Sequence, residues 1–271
     1  MQIKPGIIFA FLSLSISLTK SNAASITDNF DTLNTSIWGC EYACPTISNG
    51  YARFNIEPGT LNTNTTWNKL SHKNKAFGYG TYAMKFRFNR RPIETEVWAG
   101  WALYSETSTG QINEINFGVE TACLSRCSDK SIITESYKNS SNIEIVITRG
   151  VSLFDGTWHT AELTYSAAKI VLKLDGDSVA SITDSNKIPT VTMALIPGAR
   201  VVKGILNSPF YMDIDSISFP DLTNPITSIQ PRQSKMNSFE KANVPAPLYD
   251  VAGKELAKEK GLFRKRGLFT K

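Results

Sequence analysis

Between Ile26 and Phe219 the chain never sustains a 3.6-residue repeat. Apolar residues instead recur at every second position, in short runs broken by Gly, Asn, Ser and Pro. A strand points successive side chains to opposite faces, so this rhythm predicts strands and no helices. Gly80 to Phe88 sets Tyr82, Met84, Phe86 and Phe88 on one side. Residues 97–104, 111–120, 132–137, 143–148, 157–165 and 170–175 continue the pattern, and 210–219 closes it. Asp175-Gly176 lies between Val171–Leu174 and Val179–Ile182, the pattern of a two-residue hairpin turn. About ten strands in roughly 195 residues predict an all-β fold. Two antiparallel sheets would pack as a jelly-roll β-sandwich large enough to bury its own core.

The ends of the chain differ from this body. Residues 1–23 read as a secretory signal peptide: Lys4, an apolar run from Ile7 to Leu18, and small residues at Ser21-Asn22-Ala23. The run is short of the ~20 apolar residues a membrane span needs, so no stable span is expected. The body occupies residues 24–220, a polar linker 221–246 and a short basic tail 247–271. Residues 222–271 hold 10 basic and 4 acidic residues, whereas the rest holds 19 and 20. The body is therefore nearly neutral and carries no basic stripe with interleaved aromatics, which argues against nucleic acid as a partner. A monomer is expected, secreted or held at the cell surface. Export permits disulfides, and Cys40, Cys44, Cys123 and Cys127 allow three connectivities.

Residues 111–120 carry the chemistry. As a strand, this segment projects Glu114, Asn116, Gly118 and Glu120 from one face. A row of carboxylates and amides on a sheet is suited to a sugar. Glycoside hydrolysis uses two carboxyl groups, one attacking or activating water and one protonating the leaving oxygen.

Several pieces of the body, in order, resemble glycoside hydrolase family 16, the jelly rolls that cleave β-1,3 and β-1,3-1,4 glucans. They are Asp28 to Trp38, Phe77-Gly-Tyr-Gly-Thr-Tyr82, Trp158-His159-Thr160 and Tyr211 to Ile217. The resemblance implies a β-glucan partner and no cofactor. The family's active strand reads Glu-x-Asp-x-Glu, which falls here on Glu114, Asn116 and Gly118. Glu114 then matches the nucleophile, Asn116 replaces the helper aspartate that orients it, and Gly118 removes the acid/base. Two residues are candidates to replace it. Glu120 lies roughly 20 Å along a regular strand from Glu114, so it needs a bulge at Gly118 to come closer. Glu135, on the segment expected to form the next strand, shares a face with Tyr137 and needs only a favourable register. Trp98 and Trp101 have opposite parity, and Trp101 is taken as the sugar-facing ring. The end of the tail, Tyr249-Asp250-x-x-Gly253 followed by glycine-aromatic repeats, resembles the sorting signals of bacterial type IX secretion. That likeness implies the secretion machinery as a partner.

Two other functions compete with hydrolysis. One is a glycan-binding protein that keeps the cleft and lacks the acid. The other is a laminin-G-like or concanavalin-like adhesion module; that fold often uses calcium, but the loops near Asp213 and Asp215 supply no persuasive cage for it. Glu114 and Glu120 are also open to a plain reading as solvated residues on an exposed sheet face. His159 is expected to be structural, His72 to lie in an exposed polar loop, and neither to bind metal.

Overall fold

The computed structural model describes residues 24–62, 67–120, 131–148 and 152–222, the side chain of Glu120 excepted. The expected signal peptide, most of the linker, the tail, Cys123 and Cys127 lie outside the described residues. Every regular element described is a strand, in two antiparallel sheets. The first sheet runs β13 (Asp177–Ile182), β12 (Ile170–Leu174), β11 (His159–Tyr165), β6 (Gly80–Phe88), β15 (Phe210–Pro220), β4 (Tyr51–Ile56) and β3 (Thr46–Ser48). β1 (Ser25–Asp28) also pairs with β15. The second sheet runs β10 (Ser141–Thr148), β9 (Ser131–Lys138), β8 (Ile112–Glu120), β7 (Glu96–Glu106), β14 (Ala194–Lys203), β5 (Asn68–His72) and β2 (Trp38–Tyr42). The fold is the jelly-roll sandwich that the alternation predicts.

The two sheets meet through aromatic rings. Tyr82 and Phe86 of β6 pack on Trp101 of β7 and Phe117 of β8, with ring centroids 6.0 Å and 5.8 Å apart. Each such ring, taken out of water, contributes roughly 1.5–3 kcal/mol. Tyr82, Met84, Phe86 and Phe88 are all buried, as the period-two pattern requires. The Asp175-Gly176 turn has φ values of 51° and 87°. Both lie in the left-handed region that a type I′ hairpin demands and that Asp-Gly tolerates. Asp175 also accepts from Thr160 N (2.8 Å) and lies 3.0 Å from Nδ1 of the buried His159.

One expectation is corrected and two open readings are narrowed. His72 is not in an exposed loop. It ends β5, is 6 % exposed, and sits among Trp38, Phe77 and Phe219. Burial holds its pKa below the usual histidine value. Asp213 is not available to calcium: it is fully buried and clamped by Arg53 (2.7 Å) and Arg87 (2.9 Å), while Asp215 pairs with Lys85 at 3.2 Å. Cys40 and Cys44 are bonded to each other, so neither staples β2 to the region of Cys123.

Candidate functional site

The outward face of the second sheet is built from the even-numbered residues of β7 and β8 and the odd-numbered residues of β9. Ile115, Phe117 and Val119 join the inter-sheet core, and Glu114, Asn116 and Gly118 therefore point away from it. The register is continuous from Glu106↔Ile112 to Trp98↔Glu120. No bulge shortens β8 at Gly118, so Glu120 stays six residues from Glu114, level with Trp98.

β9 lies beside β8 with Glu114↔Tyr137 and Asn116↔Glu135 in register. Glu114 and Glu135 are thus diagonal neighbours, offset by one pleat. Such positions have Cβ atoms about 7–8 Å apart or somewhat less, within mutual reach of two glutamate side chains. Glu114 is 3 % exposed, Asn116 2 % and Glu135 5 %. The reading of Glu114 as a solvated surface residue is overturned by that burial.

A chain of hydrogen bonds crosses three strands. Trp98 Nε1 donates to Asn116 Oδ1 (3.1 Å), and Asn116 Nδ2 donates to Glu135 Oε2 (3.2 Å). Tyr137 Oη donates to the other oxygen of Glu135 (3.3 Å). Burial, then the nearby charges of Glu135 and Glu114, push the Tyr137 hydroxyl well above the usual tyrosine range. Tyr137 thus feels both carboxylates. On the other side Tyr104 of β7 lies level with Glu114.

Position 118, where the resemblance would put an acid, is closed. Gly118 faces Gly100 across β7 and β8. A Cβ on Gly118 would stand 2.7 Å from the carbonyl oxygen of Ala99 and 3.3 Å from Trp98 Nε1. The backbones approach too closely for any side chain there, and the Trp98 indole lies beside the glycine.

Trp98, not Trp101, belongs to this face. Trp101 is 1 % exposed and packs on Tyr82 and Phe117 between the sheets. Its parity with Val97, Ala99 and Leu103, all apolar, is the sequence signal for that placement. Trp98 instead shares parity with Gly100 and Tyr104. Its ring lies 5.9 Å from that of Trp67, over which Arg200 (4.3 Å) and Lys69 (4.8 Å) are placed. Sequence reasoning missed Trp67, Arg200 and Lys69 as members of the same face. Among the described residues no cluster of three or more His, Cys, Asp or Glu is arranged to hold a metal ion.

No protein-family model matches the sequence, and no curated protein is significantly similar to it. Solved structures do match. A Bacillus licheniformis β-glucanase superposes with a TM-score of 0.58 at 15% identity, over 75% of this chain and 100% of that one. A glycoside hydrolase family 16 endo-glucanase from Bacteroides ovatus gives 0.55 at 15% identity, over 71% and 98%. The Crh5 transglycosylase gives 0.59 at 15% identity, over 76% and 87%. At such identity the likeness is one of backbone architecture, and the chain is therefore a jelly roll of the kind found in family 16 glycoside hydrolases.

Proposed function

We propose that the outward face of the second sheet acts on a β-linked glucan, with Glu114 and Glu135 as its carboxyl pair. One observation carries this reading: two buried glutamates sit one pleat apart on adjacent strands, beside a shared tyrosine. Titratable groups brought together in this way on one face are the arrangement that functional sites use. Cleavage of a glycosidic bond requires such a pair. Its carboxyls stand about 5–5.5 Å apart for a retaining enzyme and about 6.5–9.5 Å for an inverting one. The diagonal placement is compatible with both ranges. The β-glucanases that share the fold support the substrate class.

The protein would work outside the cell, with residues 1–23 removed on export and residues 247–271 engaging a secretion apparatus. The test is direct: wild type, Glu114→Gln and Glu135→Gln are incubated with an activated aryl β-glucoside oligomer and with β-1,3 and mixed-linkage glucans. Wild type is expected to release aryl alcohol and reducing ends, and both variants to lose that activity. A wild type inert on every substrate ends the hydrolytic reading.

The closed position at Gly118 favours a second reading, a protein that grips glucan without cutting it. Affinity electrophoresis separates the two. A pure binder is retarded by glucan, is inert toward the aryl substrate, and is unaffected by Glu135→Gln.

A further inference from the structure

We infer that Trp98 is a positioning residue for Glu135 and acts on it through Asn116. The asparagine at 116 and the glycine at 118, both departures from the family's strand pattern, are then parts of one linked unit. The inference rests on Glu135 belonging to the proposed carboxyl pair and deepens that reading.

The direction of the amide follows from its neighbours. An indole N–H donates and never accepts. Trp98 Nε1 lies 3.1 Å from Asn116 Oδ1, so that oxygen is held toward β7. The NH2 at the other end of the same planar group is thereby turned toward β9, where it donates to Glu135 Oε2 at 3.2 Å. The backbone ties the same residue to β9, since Thr134 Oγ1 donates to the carbonyl of Asn116 at 2.9 Å. Trp98, Asn116 and Glu135 are all buried, which makes a misdirected polar group costly. A reversed amide would set its NH2 against the indole N–H and its oxygen against the Glu135 carboxyl. One tryptophan thus decides what Glu135 receives from β8.

The glycines allow the tryptophan to lie there. A Cβ on Gly118 would stand 3.3 Å from Trp98 Nε1, and a Cβ on Gly100 would collide with the carbonyl oxygen of Phe117 and the Cα of Gly118. Gly100 therefore lets β7 and β8 close together, and Gly118 leaves space beside the indole nitrogen. The same geometry accounts for an amide where the resemblance implies an aspartate. A carboxylate at 116 would accept from Trp98 on one oxygen and press its other oxygen on Glu135. An amide has an acceptor at one end and donors at the other, and so fits between an indole and a carboxyl group.

Carbon-13 NMR on the full chain reads the Glu135 carboxyl, assigned by its loss in Glu135→Gln, without any need for activity. Glu114, Tyr137 and Glu144, the last level with Glu135 on β10, share that face and are the same in every variant compared. Asn116→Ala is expected to raise the Glu135 midpoint by roughly one pH unit, because a donor to the charged form is lost. Asn116→Asp is expected to raise it further, since a second acid then opposes ionisation. Trp98→Phe keeps a ring and removes the N–H. It is expected to raise the midpoint in the wild-type background and to change nothing beside Asn116→Ala, as an effect relayed by the amide disappears with the amide. A tryptophan that only packs would act equally in both backgrounds. If Trp98→Phe does not fold, hydrogen exchange of the Trp98 indole N–H reads the same link, and is expected to be faster in Asn116→Ala than in wild type. An unmoved midpoint in Asn116→Ala, an equal effect of Trp98→Phe in both backgrounds, or unchanged indole exchange overturns the inference. A wild type inert on every glucan and aryl glycoside, with these shifts present, sinks the hydrolytic reading and leaves the positioning role standing.

Discussion

The two outward faces of this sandwich bury carboxyl groups in opposite ways. On the first sheet, Asp213 is fully buried, and both of its oxygens are held by the guanidiniums of Arg53 and Arg87. Tyr211, Tyr51 and Trp158 stack over those guanidiniums. On the second sheet, Glu135 receives an amide and a phenol, and another glutamate lies one pleat away. The two arginines engage both Asp213 oxygens and leave neither to act on a ligand. Two acids side by side are instead the arrangement that acid–base chemistry uses. The difference teaches that burial alone does not mark a reactive acid; the kind of donor around it does.

That contrast can be broken in four places. The largest effect is expected at the glutamates: Glu114→Gln or Glu135→Gln lowers glucan cleavage by about 10²–10⁴-fold, read as initial rate on the aryl substrate. Both are near-isosteric, so urea midpoints are expected to move little. Next comes the interior ring. Trp101→Ala is expected to cost about 3–5 kcal/mol of stability, because the cavity between the sheets cannot collapse. Its effect on activity would follow unfolding alone, whereas a specific loss of glucan affinity in folded Trp101→Ala would return that ring to the sugar face. Asp213→Ala is expected to cost about 3 kcal/mol by denaturant unfolding, with activity at the other face retained. The figure sits at the low end for breaking a buried pair because Arg53 and Arg87 remain 31% and 28% exposed. If Asp213→Ala removed activity while leaving stability intact, the two faces would have been assigned the wrong way round.

The smallest effect concerns His72, buried in the interior with its pKa depressed by desolvation. Folding keeps it neutral, while the unfolded chain takes a proton below about pH 6.5. Its contribution is therefore complete above that pH and is lost as pH falls toward the depressed folded value. Thermal melts at pH 7 and pH 5 should show a smaller drop for His72→Phe than for wild type. An equal drop would mean that the imidazole titrates normally.

Much of the fold was legible because each long strand carries its own alternation. β6, β7 and β8 declare their inward faces through Tyr82, Val97 and Ile115, and Asp175-Gly176 declares its hairpin. β14 was not anticipated, since Pro197-Gly198 argues against a central strand. The structure tolerates the proline because only Gly198 and Ala199 of β14 stay in register with β5. His72 was misplaced because Asn and Lys around it suggest a loop, although a five-residue strand between β14 and β2 needs little pattern of its own. Glu114 was legible as an acid on one face of β8, and Glu135 as an acid on the next strand. The level at which Glu135 stands was not. Register between β8 and β9 is fixed by cross-strand pairing, and no local pattern encodes it. Trp98 and Trp101 differ in this respect: the apolar Val97, Ala99 and Leu103 share the parity of Trp101 and already mark it as the inward ring.

The paired glycines at 100 and 118 bear on how this protein can be altered. A glutamate written at position 118 would add a second acid to the outward face of β8, yet its first carbon would collide with the neighbouring backbone. Placing two acids on this one strand therefore demands that β7 and Trp98 move in concert, a path that no lone codon change opens.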